Sequence, residues 1–196
     1  QKVFIDDTSS SKIVRRIYDI EEHIPEKHKI TFKVEQIPSS LKRAIKIFFL
    51  GRAVRLNREK KPGHSSMMIN VSRFKDVQRD LRGLVNVYIE TLSRAIQFNY
   101  ALPVEQALRN EEMAELKNIF IEEFSDDLDE TWERVQSFLY ESVKPVKVQV
   151  INSSSDETLE YEKAKNEGGA LTVVAVGGLS LSRGLTLEGL SVSYVY

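Results

Sequence analysis

The chain contains no cysteine, which removes disulfide bonds and thiolate metal sites together. Its only three histidines, His23, His28 and His64, stand far apart without the spacing of a metal-binding motif, so no structural metal is expected. No stretch approaches the roughly 18 consecutive apolar residues of a membrane span. Residues Gln1 to Ser11 do not make the basic-then-apolar pattern of a secretory leader. The expectation is a cytoplasmic protein with no membrane partner. The Gly-x-x-x-x-Gly-Lys-Ser/Thr phosphate loop is also missing, and no Asp-Glu pair follows an apolar strand pattern, so the chain alone should neither bind ATP tightly nor hydrolyse it. There is no internal repeat and no low-complexity segment.

What is present is ordinary globular material. Hydrophobic residues make up 41% and charged residues 29% of 196 residues, enough for one α/β domain with a substantial core. The net charge of -1 conceals strong segregation. Between Lys42 and Lys61 eight basic residues stand against the single acid Glu59, whereas between Glu105 and Glu141 twelve acids face only Arg109, Lys117 and Arg134. The basic segment, with Lys42, Arg43 and Lys46, offers a candidate track for DNA phosphates, or a plain solvated helix face. The acidic segment reads as a solvated helical face or as a contact for another lobe or partner protein.

Period and punctuation predict the elements. Residues 1–33 give a weak, interrupted helical pattern and are expected to form a poorly defined extension. Pro38-Ser39-Ser40 marks a helix start with a serine cap, and the helix runs on through Leu41, Ile45, Phe48, Phe49 and Leu56. Met67 to Val71 reads as a buried strand. A long helix follows from Phe74 to Ile96, then two acidic helices over about Val104 to Phe124 and Leu128 to Ser142, which read as a helical insertion around 104–142. Strands are expected again at Val146 to Ile151, Leu171 to Val176 and Val192 to Tyr196, with a short charged helix before Gly168-Gly169. Strands alternating with helices imply a parallel sheet flanked by helices, with ligands at the carboxyl ends of the strands. The loops there are Ser72-Arg73, Asn152 to Asp156, and Gly177 to Gly184.

The third loop carries the most chemistry. Gly177 and Gly178 let the backbone turn with exposed amides, Ser182 adds a hydroxyl, and Arg183 adds a planar cation suited to phosphate. On the same residues, Gly-Gly is equally a simple turn, and Arg183 can pair with Glu188.

The text Val173-Val174-Ala175-Val176-Gly177-Gly178-Leu179-Ser180-Leu181-Ser182-Arg183-Gly184-Leu185-Thr186-Leu187-Glu188-Gly189-Leu190 closely resembles the signature of the family catalogued as the endonuclease Z-one domain. A second block, His64-Ser65-Ser66-Met67-Met68-Ile69-Asn70-Val71-Ser72-Arg73, resembles that family's His-Ser-Ser-Met block, and the similarity runs from about Val34 onward. The family is bacterial and helicase-associated, found in DNA-restriction and phage-defence settings. The resemblance implies a RecA-like parallel sheet, the second lobe of a superfamily-two helicase-type motor. It places Gly177, Gly178, Ser182, Arg183, Gly184 and Thr186 on an interlobe, phosphate-contacting surface like helicase motif five. Ser72 and Arg73 stand where motif four would touch DNA, and His64, Ser65, Ser66 and Glu188 form a structural signature. It further implies a domain over 34–196 that stops before a motif-six-like block, with ATP and magnesium bound by the whole protein, DNA as partner, and a separate N-terminal ATPase lobe. No catalytic residue and no cofactor is assigned within this chain. The alternatives are a magnesium-dependent nuclease, for which Glu59-Lys60-Lys61 and Glu115-Leu116-Lys117 are the acid-x-lysine triplets, and a protein-interaction module built on the acidic helices.

Overall fold

The computed structural model describes residues 14–59, 63–124, 130–151, 160–178 and 186–196. In chain order the elements are α1 (Ile20–His23), α2 (Ser39–Arg58), β1 (Ser65–Asn70), α3 (Lys75–Asn99), α4 (Val104–Ala107), α5 (Glu111–Phe124), α6 (Trp132–Val143), β2 (Val146–Ile151), α7 (Tyr161–Asn166), β3 (Thr172–Gly177) and β4 (Leu190–Val195). The four strands form one all-parallel sheet in the order β2-β3-β1-β4. The expected α/β class, a parallel sheet flanked by helices, is what the chain adopts.

Side-chain alternation splits the strands between two faces. Met67, Ile69, Val148, Val174 and Val176 join the main core. There α2 and α3 lie on the sheet, and α5 and α6 pack on those two helices. Met68, Ala175 and Ile151 face the other way, with Leu187 against them, and α7 joins that second face through the Tyr161 hydroxyl on Ser66. β3 is buried at every position because it has a strand on each side and covered faces above and below, which is why its sequence, Thr-Val-Val-Ala-Val-Gly, shows no polar alternation.

Three local features depart from the sequence expectation. First, α2 begins at Ser39 without a serine cap: Asp19, twenty-one residues before Ser40, accepts the Ser40 amide at 2.9 Å and the Ser40 hydroxyl as well. Since Ser40 gives its only hydroxyl hydrogen to Asp19, the Tyr194 hydroxyl must donate to Ser40 Oγ at 2.7 Å. Burial pushes the Tyr194 phenol up to about 12, so it remains a neutral donor. Second, the expected helix from Val104 to Phe124 breaks into α4 and α5, because the Asn110 side chain accepts the amides of Glu112 and Met113 and starts a new helix. Third, the segment before α2 contributes to the main core through Ile20, Ile24, Val34 and Ile37.

The charge segregation resolves itself inside the fold. Arg43 pairs with Glu122 and Glu123 at 2.7 Å each, Arg58 with Glu130 at 3.0 Å, and Lys46 with Glu112 at 2.7 Å and with Glu115. The basic helix α2 is thus docked on the acidic segment. Pairs at the surface are worth at most about 1 kcal/mol each, but Lys46, only 2% exposed, could not be buried without its carboxylates. Through Met113, Leu116, Ile119, Phe120, Trp132, Val135 and Leu139 the helices between 104 and 143 are part of the main core.

Candidate functional site at the carboxyl edge of the sheet

After β1 the chain turns to the first face to begin α3, whereas Leu187, beyond β3, packs on the second face. β1 and β3 are neighbours. Connections that diverge to opposite faces from adjacent parallel strands leave a crevice between their carboxyl ends, which is where open α/β sheets bind ligands.

At this edge the two turns are packed closely together. Gly178 sits against the Ser72-Arg73 turn so closely that a β-carbon on it would lie 2.7 Å from Gln78 Nε2 and 3.0 Å from the Ser72 carbonyl oxygen. A larger residue there would have to displace the Gln78 amide and crowd the Ser72 carbonyl. The turn itself is fixed by side chains: Gln78 Nε2 donates to the Ser72 carbonyl at 2.8 Å, and Ser72 Oγ accepts the Phe74 amide at 3.1 Å. His28 reaches over from the segment before α2. Its Nδ1 lies 2.6 Å from the Pro25 carbonyl oxygen, which can only accept, so Nδ1 carries the hydrogen. Its Nε2 lies 2.8 Å from Ser72 Oγ. In the neutral ring Nε2 takes the hydroxyl hydrogen. With Ser72 only 7% exposed and its hydroxyl engaged as donor and acceptor, this Ser-His pair is a brace for the turn.

Rings continue the brace outward. The His28 ring meets Phe74 edge-on at 5.4 Å and Phe32 at 5.7 Å, and the Arg73 guanidinium lies over the Phe74 ring at 4.9 Å. Arg73 is exposed. Neither Gln78 nor the His28-Phe32-Phe74 set was found from sequence. His28 and Ser72 are 44 residues apart, and no local pattern links them.

The residues expected to share one surface separate into two groups. Ser72, Arg73, Gly177 and Gly178 meet at the carboxyl edge. Thr186 precedes Leu187, which packs with Ala175 and Ile151 on the second face, and by Glu188 the chain is at the amino end of β1, where the Glu188 carbonyl accepts the Ser66 hydroxyl at 2.7 Å, roughly 13 Å along the strand from Asn70, by the ~3.3 Å rise per residue. The physical reason is topological, since β4 runs parallel to β3 and must start at the edge opposite to where β3 stops. Ser182, Arg183 and Gly184 lie outside the described residues, as does the loop from Asn152 to Asp156.

At the amino edge stand the other signature residues. His64 Nδ1 accepts the Leu171 amide at 2.9 Å, so the ring hydrogen is on Nε2, which faces Glu188 at 3.8 Å. The His64 ring meets Tyr161 edge-on at 4.9 Å, and Ser66 Oγ lies 2.7 Å from the Tyr161 hydroxyl. Ser65 is buried beside them. Gly189 has φ +67°, and a β-carbon there would fall 1.9 Å from the His64 carbonyl oxygen. These residues latch β1, β4 and α7 together, far from the crevice.

Of the basic residues on α2, Lys46 is buried and paired and Arg43 is held by two carboxylates, while Lys42 is exposed, with Nζ 5.8 Å from the centre of the Tyr88 ring. The acid-x-lysine triplets are no better placed for metal chemistry. Glu59 pairs with Arg55 at the end of α2, Glu115 binds Lys46 from α5, and Lys60 and Lys61 lie outside the described residues. Among the described residues no group of three or more histidine, aspartate or glutamate side chains is arranged to hold a metal ion, and no helix is long and apolar enough to cross a membrane.

No curated protein and no solved structure matches this chain. The family model described as the Z1 domain matches residues 40–196, well over half of the chain, including β1, the Ser72-Arg73 turn, the Gly177-Gly178 turn and the Glu188-Gly189 latch. The chain belongs to the Z1 domain family.

Proposed function

We propose that this chain supplies a nucleic-acid-backbone and interlobe surface to an ATP-driven, DNA-acting machine of the restriction or phage-defence type, with ATP and magnesium held largely by an adjoining lobe and no turnover by the chain alone. The observation that carries this reading is the carboxyl edge of the sheet, where the Ser72-Arg73 turn, in the place of helicase motif four, meets Gly177-Gly178, which leads into the Arg183 to Thr186 stretch that resembles motif five, in a Z1 domain. Arg73 presents an exposed cation there, and positive groups beside a strand-end crevice suit a phosphate backbone. The buried Ser72 and Gln78 fix the turn and leave contact to Arg73 and to the segment that includes Arg183.

The test uses the full-length protein. Arg73→Ala and Arg183→Ala should each reduce DNA-stimulated ATP turnover at least about tenfold, the scale expected when a charge-assisted phosphate contact is lost. Unchanged turnover in both variants overturns the reading. The nuclease alternative predicts magnesium-dependent nicking by this chain that disappears in Glu59→Gln or Glu115→Gln. Its weakness is that Glu112, Glu115 and Lys46 already neutralise one another.

A further inference from the structure

We propose that Arg73, laid on Phe74, is a stacking platform for a nucleobase that carries a phosphate, the base resting on the outer face of the guanidinium. The inference rests on the proposed DNA-contacting role of the crevice and adds to it a contact with the base. A guanidinium is planar and weakly hydrated, and stacks on π-systems on either side. Arg73 is exposed and has no carboxylate within ion-pair distance among the described residues, and its inner side is 4.9 Å from the centre of the Phe74 ring. Phe74 is half-buried and cannot swing away, because His28 abuts it at 5.4 Å and is itself fixed by the Pro25 carbonyl and Ser72 Oγ. Phe32 closes the far side of His28 at 5.7 Å.

The four planar groups therefore come from two distant segments, and the ring beneath Arg73 is set by its neighbours before any ligand arrives, which lowers the entropic cost of stacking. Unpaired bases are held in this way on aromatic rings and arginine planes. The β-carbon position of Gly178 is 3.5 Å from Arg73 Cα, so a nucleotide whose base lies on Arg73 brings its phosphate to the glycine turn. The shared chemistry, a base joined to a phosphate, has two sources: single-stranded DNA or a free nucleotide.

The experiment measures binding of the 196-residue chain to three probes: a fluorescent oligothymidylate, an abasic oligomer of the same length and charge, and a fluorescent adenine nucleotide. The expected result is that the intact oligomer or the nucleotide binds, the intact oligomer by at least about fivefold over the abasic one. Arg73→Lys, which keeps the charge and loses the plane, should remove that preference, and Phe74→Leu should weaken base-bearing probes by about tenfold, the scale of one lost stacked base. Equal affinity for intact and abasic oligomers, without Arg73-dependent nucleotide binding, overturns the platform and leaves the backbone reading standing. If the nucleotide alone binds through Arg73, the platform holds and DNA contact falls. Binding to none of the three probes overturns both.

Discussion

The Lys46 cluster sets up an asymmetry that a denaturation experiment can read. The Lys46 side chain is 2% exposed, whereas Glu112 and Glu115, its partners, are 31% and 54% exposed. The cation therefore has no access to water, while each carboxylate can turn outward and hydrate. Tyr88, whose hydroxyl is buried without a partner beside them, cannot replace the lost negative charge, because burial drives its phenol far up and both glutamates push the same way. Changing Glu112 and Glu115 together to glutamine leaves a buried ammonium with no counter-charge and should cost about 3–5 kcal/mol, the range for an orphaned buried ion. Lys46→Met removes the buried charge, keeps the volume and leaves two partly exposed carboxylates, of which Glu112 must turn its buried Oε2 toward water, so its cost should be about 1 kcal/mol, well below that of the double variant. Urea denaturation at pH 7, followed by far-ultraviolet circular dichroism, gives both values, provided the dependence on urea stays equal among variants. Added salt should not rescue the double variant, since ions do not screen a site closed to water. A Lys46→Met variant as unstable as the double glutamine variant would refute the reasoning.

Two further outcomes follow from local geometry. Gly189→Ala must relieve a Cβ placed only 1.9 Å from the His64 carbonyl oxygen and a φ of +67°, so it should destabilise the chain by about 2 kcal/mol or more, read as a lowered urea midpoint; a midpoint within error of wild type would dismiss the latch. Burial raises the Asp19 carboxyl, but the hydrogen bonds from the Ser40 hydroxyl and amide outweigh it and hold the group below the usual carboxylate range. A carboxyl depressed in the folded state stabilises above its unfolded pKa and loses that contribution as pH falls through its folded pKa. Asp19→Ala should therefore cost about 1 kcal/mol at pH 7, and the gap from wild type should narrow as the pH is lowered through the acid range; a constant gap would mean that the cap does not depend on the charge.

The elements were largely legible in the sequence because period and punctuation are local. The β3 run Thr172–Gly177 is apolar at nearly every position, so it reads as a strand buried on both faces; α3 keeps Val77, Leu81, Val85, Ile89, Leu92 and Ile96 in register and reads as a helix with one buried stripe. The alternation of strand and helix was enough to imply a parallel sheet. The signature text around Gly177 and Arg183 and the block from His64 to Arg73 also pointed to the family without any coordinates.

Other properties depended on separations that sequence spacing does not encode. That α2 is capped by Asp19, that its basic residues pair with acids some 70 to 80 positions later, and that His28 braces Ser72 are consequences of packing. A free lysine on a helix and a buried, paired one look identical in the sequence, and only the fold decided that Lys46 is the second kind. The signature around Arg183 likewise reads as one continuous surface. Parallel strand direction carries the chain from Gly178 at the carboxyl edge to Glu188 at the amino edge, so its two ends serve different places: packing on the Ser72-Arg73 turn at one and a structural latch at the other. Sequence set the local conformations and the family, because these depend on neighbouring residues and on the order of side chains along the chain. The tertiary structure decided which charges are accessible and which loops meet, because both depend on which distant segments the burial of the apolar faces brings together.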